Sequence, residues 1–521
     1  MSNSRNSRRE FLRKMACVAC GGGAAALVPQ LRMMGTAMAA TPMLSGYKAL
    51  VCIYLAGGND SWNLVVPYDS NGSTGRYDVY SLARNGVYNS GSNSTGLALA
   101  RPASGNAQII TDLNDGSSAT NQYFLHPNLT NLAKFYNAKQ LAFAVNVGTL
   151  TTPIDMNDYK APGTLIPPQL FSHADQTNLW HQGNTDAHSS LGWGGLCADD
   201  LQQQGANLTT SPQLSLCVSV AGANRFEIGN VVNNPYQLSS SGLTNLSGMC
   251  NPCSGGASNN SVRDSALNHL LADTYESDFA GEYSSIFKNG RDLFTMLKPN
   301  LGQGAYAITT TFPNTSLGNQ LKIVAQMIKL SRAQTYASRQ IFFVQLGGFD
   351  LHSGLMSSQD ASNPPGNTND HAGLLYQLDQ AVNAFWTEMG AQGAQSNVTA
   401  FTMTEFARTL QSNGAGSDHA WGGIHFALGG AVNGGKLYTK GNGLNGKGID
   451  GAFPGFNYYN NTLPSFNSNA FSRGQLIPGI SVDQYAATFA KWMDVTPGNL
   501  GTIFPNLGNF PGGTLGFLPT S

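Results

Sequence analysis

Three apolar, strand-like runs lying far apart in the chain each end on an acid: VCIYLAGGND at Asp60, IFFVQLGGFDLH at Asp350 with His352, and VTAFTMTE at Glu405. The third is followed by GAGSDHAWGG, which adds Asp418 and His419. In an open α/β sheet the carboxyl ends of parallel strands gather along one edge, so acids placed just past three strands can converge. Carboxylates brought that close repel unless they are protonated or neutralised by a cation. A divalent metal held by Asp, Glu and His is the simplest such cation, and metal-assisted hydrolysis is the chemistry it would serve.

Each residue also has a plainer use. Asp60 follows Gly57-Gly58-Asn59, where glycine lets a carboxylate approach a ligand closely, yet an Asx-turn or helix cap needs the same letters. Asp350 and His352 are two apart, so in an extended segment both side chains leave on one side and can reach one ion. Glu405 with Asp418 and His419 is the densest group of ligand types in the chain. Arg408 suits a phosphate or a developing oxyanion, or simply pairs with Glu405. His371 is a lesser candidate, and His425, in an apolar run, reads as structural. For a nucleophile, Ser172 opens the helix of Ser172-His173-Ala174-Asp175, where backbone N–H groups favour an anion. The same S-x-x-D letters make a helix cap, and water activated by the metal is the competing nucleophile. No H-E-x-x-H, G-x-S-x-G or Walker-type motif occurs, which argues against zincin proteases, α/β-hydrolase esterases and nucleoside triphosphatases.

The elements that must position these residues alternate. Nearly continuous apolar runs at 49–55, 141–147, 214–220, 341–346 and 398–404 suit strands of a parallel sheet covered on both faces. Helical signals fall between them at 129–137, 174–181, 262–297, 317–336 and 371–389, with a last helix at 482–495. The pattern predicts a doubly wound α/β fold, a mostly parallel sheet sandwiched by helices. Stretches near 70–121, 222–261 and 434–478, rich in Gly, Ser and Asn, read as insertions, the first two on the surface and the last as a β-rich flap.

The chain begins with SRREFLRKM, an arginine pair (Arg8, Arg9) before a weakly apolar stretch that ends in AMAA. This resembles a twin-arginine export signal over residues 1–39, cleaved near Ala39, which makes the translocase a partner during export and the periplasm or exterior the destination. The stretch is too broken by glycine, proline and arginine to span a membrane. Residues 40–521 then form one large domain. The full chain has 28 Lys and Arg against 29 Asp and Glu; losing six basic residues and one acid with the signal leaves 22 against 28, a net charge of about −6. That balance argues against a nucleic-acid partner. Five cysteines remain: Cys52 reads as a buried thiol, and Cys250-Asn-Pro-Cys253 as a disulfide formed after export.

The motifs GGNDSWNLVVP, LHPNL, FSHADQTNLW, GGFDLH, TEFART and SDHAWGG, in this order and followed by SVDQYAATFAKWM and FPNL, resemble the exported bacterial family known as domain of unknown function 1501. That family is similar in fold to the alkaline phosphatase and sulfatase superfamily. The resemblance implies a site with one or two divalent metals (Zn, Mn, Ca or Fe) at strand ends, acting on a small-molecule or glycan ester of phosphate or sulfate. It assigns Asp60 as a first ligand, Asp350 and His352 as a second group, and Glu405, Asp418 and His419 as a third, with Ser172 as the candidate nucleophile. Ala407 and Ala420 stand where the family often has glycine, which leaves the ligands untouched. Cys250-Asn-Pro-Cys253-Ser254 lacks the arginine of the formylglycine motif C-x-P-x-R, so a formylglycine sulfatase is not expected. The alternatives are a non-catalytic surface or matrix-assembly protein with a structural metal, and a phosphoryl transferase or isomerase using the same site.

Overall fold

The computed structural model describes residues 44, 46–70, 72, 75–113, 122–184, 189–207, 212–250, 253, 258–356, 369–439, 457–459, 463–465 and 470–519. The export signal expected at 1–39 lies outside these residues. No helix among them is long and apolar enough to cross a membrane.

The runs of Val, Ile, Leu and Phe in the sequence build a central sheet of nine strands. These are β1 (Lys48–Ala56), β2 (Leu141–Gly148), β3 (Cys217–Ser219), β4 (Tyr236–Gln237), β5 (Arg339–Gly347), β6 (Val398–Met403), β7 (Gly423–Gly429), β8 (Leu437–Tyr438) and β9 (Ile480–Ser481). Their order across the sheet is β8-β2-β7-β6-β1-β5-β3-β4, with β9 also paired to β2. Every pairing is parallel except those of β7 with β2 and β6. The sheet is thus mostly parallel and flanked by helices, the mixed α/β arrangement the alternating pattern predicts.

Side chains of a strand alternate between faces, and β1 divides its own accordingly. Ala49, Val51, Ile53 and Leu55 enter one core with α2 (Thr130–Asn137), α7 (Ser316–Gln334) and α8 (His371–Ala391). Leu50, Cys52 and Tyr54 enter a second with α3 (His173–Gln182), α4 (Trp193–Gln203) and α9 (Val482–Trp492). Burial on both faces explains why the strands read as unbroken apolar runs.

Three features differ from the sequence expectation. The region 70–121 is not confined to the surface: it holds α1 (Arg76–Ala83) and one strand of a small three-stranded sheet, and it buries Tyr77, Tyr80, Leu97 and Ile110. Likewise 222–261 buries Phe226, Glu227 and Val232. Scattered apolar and aromatic residues anchor both segments although their composition is that of loops. The single helical signal at 262–297 is two helices, α5 (Asn259–Ala272) and α6 (Asp278–Leu297), split where Asp273 to Ser277 favour caps and turns over helix interior. Short antiparallel pairs, Asn457–Tyr459 with Leu463–Ser465 and Ala470–Phe471 with Gln475–Leu476, fall in the expected flap. Cys250 and Cys253 are disulfide-bonded, and Cys52, Cys197 and Cys217 are buried free thiols.

Candidate metal centre

Strands β5, β1 and β6 are parallel neighbours whose register pairs Gly347 with Ala56 and Met403 with Tyr54, so their carboxyl ends finish level. The turn after β1 is drawn against the turn after β5. Gly57, at φ +118°, lies so close that an added Cβ would sit 2.4 Å from the Asp350 backbone nitrogen, which only glycine tolerates. Because β7 runs antiparallel to β6, the loop that enters it, carrying Asp418 and His419, starts at this same edge.

Four side chains meet there. The Oδ1 atom of Asp350 lies 3.1 Å from His352 Nε2 and 3.2 Å from His419 Nε2, and its Oδ2 lies 3.4 Å from His173 Nε2. The Nε2 atoms of His352 and His419 face each other at 2.9 Å. Each ring's other nitrogen is committed. His173 Nδ1 donates to Glu405 Oε1 at 2.8 Å, His352 Nδ1 to Asp418 Oδ1 at 3.0 Å, and His419 Nδ1 to the Phe171 carbonyl at 2.7 Å. With each Nδ1 carrying the proton, every Nε2 of a neutral ring presents a lone pair.

The acid they surround is charged. Burial alone would raise the pKa of Asp350, but the hydrogen bond and charge of Arg408 outweigh it and hold the group at about 2. For His419 burial is the largest influence, and its pKa is pushed down, against taking up a proton. Asp418 is also held below the usual range: burial opposes ionisation, and bonds from Asn413 and His352 with the charge of Arg473 prevail. In that tautomer, three imidazole lone pairs and one carboxylate form a set of donors that could hold a cation. His173, Asp350 and His419 have ligand atoms mutually within 4.8 Å. The side chains of His173, Asp350 and His352 are 39%, 47% and 45% exposed, so a ligand can reach the group from solvent.

Behind this group stand residues that orient it. Glu405, 3% exposed, also accepts from Gly57 N at 2.7 Å and Tyr54 Oη at 3.1 Å. Arg408 is fully buried, and its guanidinium donates to the carbonyls of Gly57, Gly58, Phe349 and Ser417 as well as to Asp350. It therefore ties together the loops after β1, β5 and β6. Phe406 stacks under His419 at 4.3 Å and lies 4.8 Å from His173.

Of the six ligand candidates from the sequence, the fold brings Asp350, His352 and His419 together at the convergence. Glu405 and Asp418 stand behind them as hydrogen-bond partners of His173 and His352. Asp60 is elsewhere engaged: 1% exposed, it forms an ion pair with Arg84 at 2.5 Å and accepts from Trp62 N at 3.2 Å. Ser172 caps α3, its Oγ donating to Asp175 Oδ2 at 2.5 Å and accepting from Asp175 N at 3.4 Å. His371 is buried against Asn59 Oδ1 at 3.0 Å, and burial lowers its pKa to about 3. His425 is buried between Trp180 and Tyr485, again lowered to about 3 by burial. Sequence reasoning passed over His173, next to the serine it singled out. The available signal was its place in the first turn of a helix, where the dipole favours anions and a surface histidine has no reason to be. It also did not single out Arg473, which is partly exposed and pairs with Asp418.

The chain is thus a mixed α/β protein with a histidine-rich, metal-type cluster at the carboxyl ends of its parallel strands. Residues 302–451 match the model of the family described as Protein of unknown function (DUF1501), a stretch that contains Asp350, His352, Glu405, Arg408, Asp418 and His419. No curated protein matches the chain. Among solved structures, Ps i-CgsB in complex with k-i-k-neocarrahexaose is similar at 9% identity, covering 75% of this chain and 68% of that one with a TM-score of 0.30. The C-terminal periplasmic domain of EcEptC from Escherichia coli in complex with Zn is 10% identical, covering 75% and 74%, with a TM-score of 0.29. The PsFucS1 sulfatase from Pseudoalteromonas sp. is 8% identical, covering 78% and 68%, with a TM-score of 0.30.

Proposed function

We propose that the protein is an exported, metal-dependent hydrolase of phosphate or sulfate esters. The observation that carries this reading is the meeting of three imidazole Nε2 atoms on the ionised Asp350, with each Nδ1 already bonded to an oxygen. His173, Asp350, His352 and His419 would hold the ion. Three imidazoles with one carboxylate suit zinc, iron or manganese better than calcium, whose ligands are oxygens. A divalent ion held there would supply Lewis acidity toward an ester oxygen and a more acidic water molecule.

The remaining residues have distinct tasks in this reading. Glu405, Asp418 and the Phe171 carbonyl fix the three rings and make them better donors. Arg408 is a positioning residue, since its guanidinium is spent on backbone carbonyls and on Asp350. Arg473 supplies a cation at the rim that suits an anionic ester. Ser172 acts as the helix cap, and water is the attacking group. The opening SRREFLRKM supports export through the twin-arginine translocase to the periplasm or exterior, with a small-molecule or glycan ester as substrate.

The test is a panel of aryl phosphates, aryl sulfates and phosphodiesters assayed with zinc-, manganese- and iron-loaded protein, beside His419→Ala. Turnover of one class that vanishes in the variant supports the hydrolase. Bound metal without turnover on any member of the panel would shift the reading to a structural metal in an assembly protein.

A further inference from the structure

Away from the metal cluster, a cavity of about 430 Å3 opens between the end of α6 and the outer face of α7. Its size falls within the range of small-molecule sites. On α7 the residues Asn319, Lys322, Ile323 and Gln326 line it, at the i, i+3, i+4, i+7 spacing that puts them on one face of a helix. Three of the four are polar, and Lys322 is exposed while Asn319 and Gln326 are half-buried, so this is the polar face of the helix. Lys298 and Gln303 come from the segment after α6, and Ser240 from the turn after β4.

The charge of this lining is one-sided. Lys298 and Lys322 both border the cavity, and no Asp or Glu does among the described residues. Lys322 is exposed and makes no hydrogen bond or ion pair with the described residues. Among the described residues Lys298 Nζ makes one hydrogen bond, 3.3 Å to the Leu243 carbonyl, and lies 5.9 Å from the centre of the Phe294 ring. The two ammonium groups thus have no acid beside them in the lining, in a chain whose net charge is −1. The amides and hydroxyl around them donate and accept hydrogen bonds, and Leu301 and Ile323 supply an apolar floor. Gly302, at φ +69°, lets the Gln326 amide lie against the backbone where an added Cβ would come within 2.4 Å of it.

We propose that this cavity binds a sugar-sized organic anion, a carboxylate or phosphate ester on a hydroxylated carbon skeleton. The two lysines take the anion, and Ser240, Gln303, Asn319 and Gln326 take the hydroxyls. The site shares no residue with the metal cluster and does not depend on the hydrolase reading.

The test is calorimetric titration of the full chain with glucuronate, glucose 6-phosphate and glucose. Saturable binding of either anion is expected, with glucose at least about tenfold weaker; the charge-assisted hydrogen bonds set that difference. Lys322→Glu, a change at an exposed helix position, should weaken the anion about tenfold or more while the melting temperature holds. Asp350→Asn should leave the anion's affinity unchanged. Absence of saturable binding by both anions would overturn the proposal. So would equal affinity in Lys322→Glu, or loss in Asp350→Asn with retention in Lys322→Glu, which would move the anion to the metal cluster.

Discussion

Replacing Glu405 by glutamine should weaken metal binding without disturbing the fold. Glu405 Oε1 accepts from His173 Nδ1 at 2.8 Å and from Gly57 N at 2.7 Å, and a glutamine oxygen can stand in the same place. The new amide NH2 would face the hydroxyls of Tyr54 and Thr404. Both can turn away, because Tyr54 Oη already has Thr177 Oγ1 at 2.7 Å and Thr404 Oγ1 already donates to the Leu55 carbonyl at 2.7 Å. What disappears is the negative charge behind the His173 ring. Loss of such a partner typically costs 10- to 100-fold in metal affinity, or ~1.4–2.7 kcal/mol. Competition against a chromogenic chelator reads the affinity, and the melting temperature in EDTA reports the fold. Unchanged affinity with an unchanged melting temperature would refute the idea that Glu405 makes His173 a better ligand.

Three further outcomes follow from the same contacts. Arg408→Met, which strips donors from four backbone carbonyls and Asp350, should cost roughly 3–5 kcal/mol in urea denaturation; a change within about 1 kcal/mol would contradict its role as a tie between loops. Ser172→Ala should lose about 1 kcal/mol of stability as a missing cap and keep its turnover, whereas abolished turnover with metal retained would make Ser172 the nucleophile. The third concerns Glu227, whose pKa is raised from 4.5 to about 8, chiefly by full burial, against hydrogen bonds from Asn224 and Val218. The folded state then holds this proton more tightly than the unfolded state, so its stabilising effect is complete below pH 4.5 and is lost progressively up to about pH 8. The loss amounts to ~5 kcal/mol, and Asp483, raised to about 7 largely by burial, acts in the same direction. Denaturant unfolding at acid and alkaline pH should show Glu227→Gln to be much less pH-sensitive than the wild type; parallel pH profiles would refute this.

The sheet was legible because strands buried on both faces must be apolar at nearly every position, and β1, β2, β5 and β6 fall on the predicted runs. The antiparallel β7 was not, since GIHFALG is a short run broken by His425 and set between glycine pairs. At the site, Asp350 and His352 could be found because an acid and an imidazole stand two apart just past the end of β5, and His419 because it belongs to an Asp-His pair in the Gly-rich loop after β6. The fate of Asp60 could not, because its partner Arg84 lies just past the end of α1, in a segment whose composition reads as a surface insertion. His173 is separated by more than a hundred residues from every group it meets, and only the three-dimensional fold brings its Nε2 to Asp350.

The most direct measurement is the metal content of the protein purified without chelator, beside a His173→Ala, His419→Ala double variant. The account predicts a stoichiometric first-row metal in the wild type and its loss in the variant, with both proteins folded. No metal in either folded protein would contradict it.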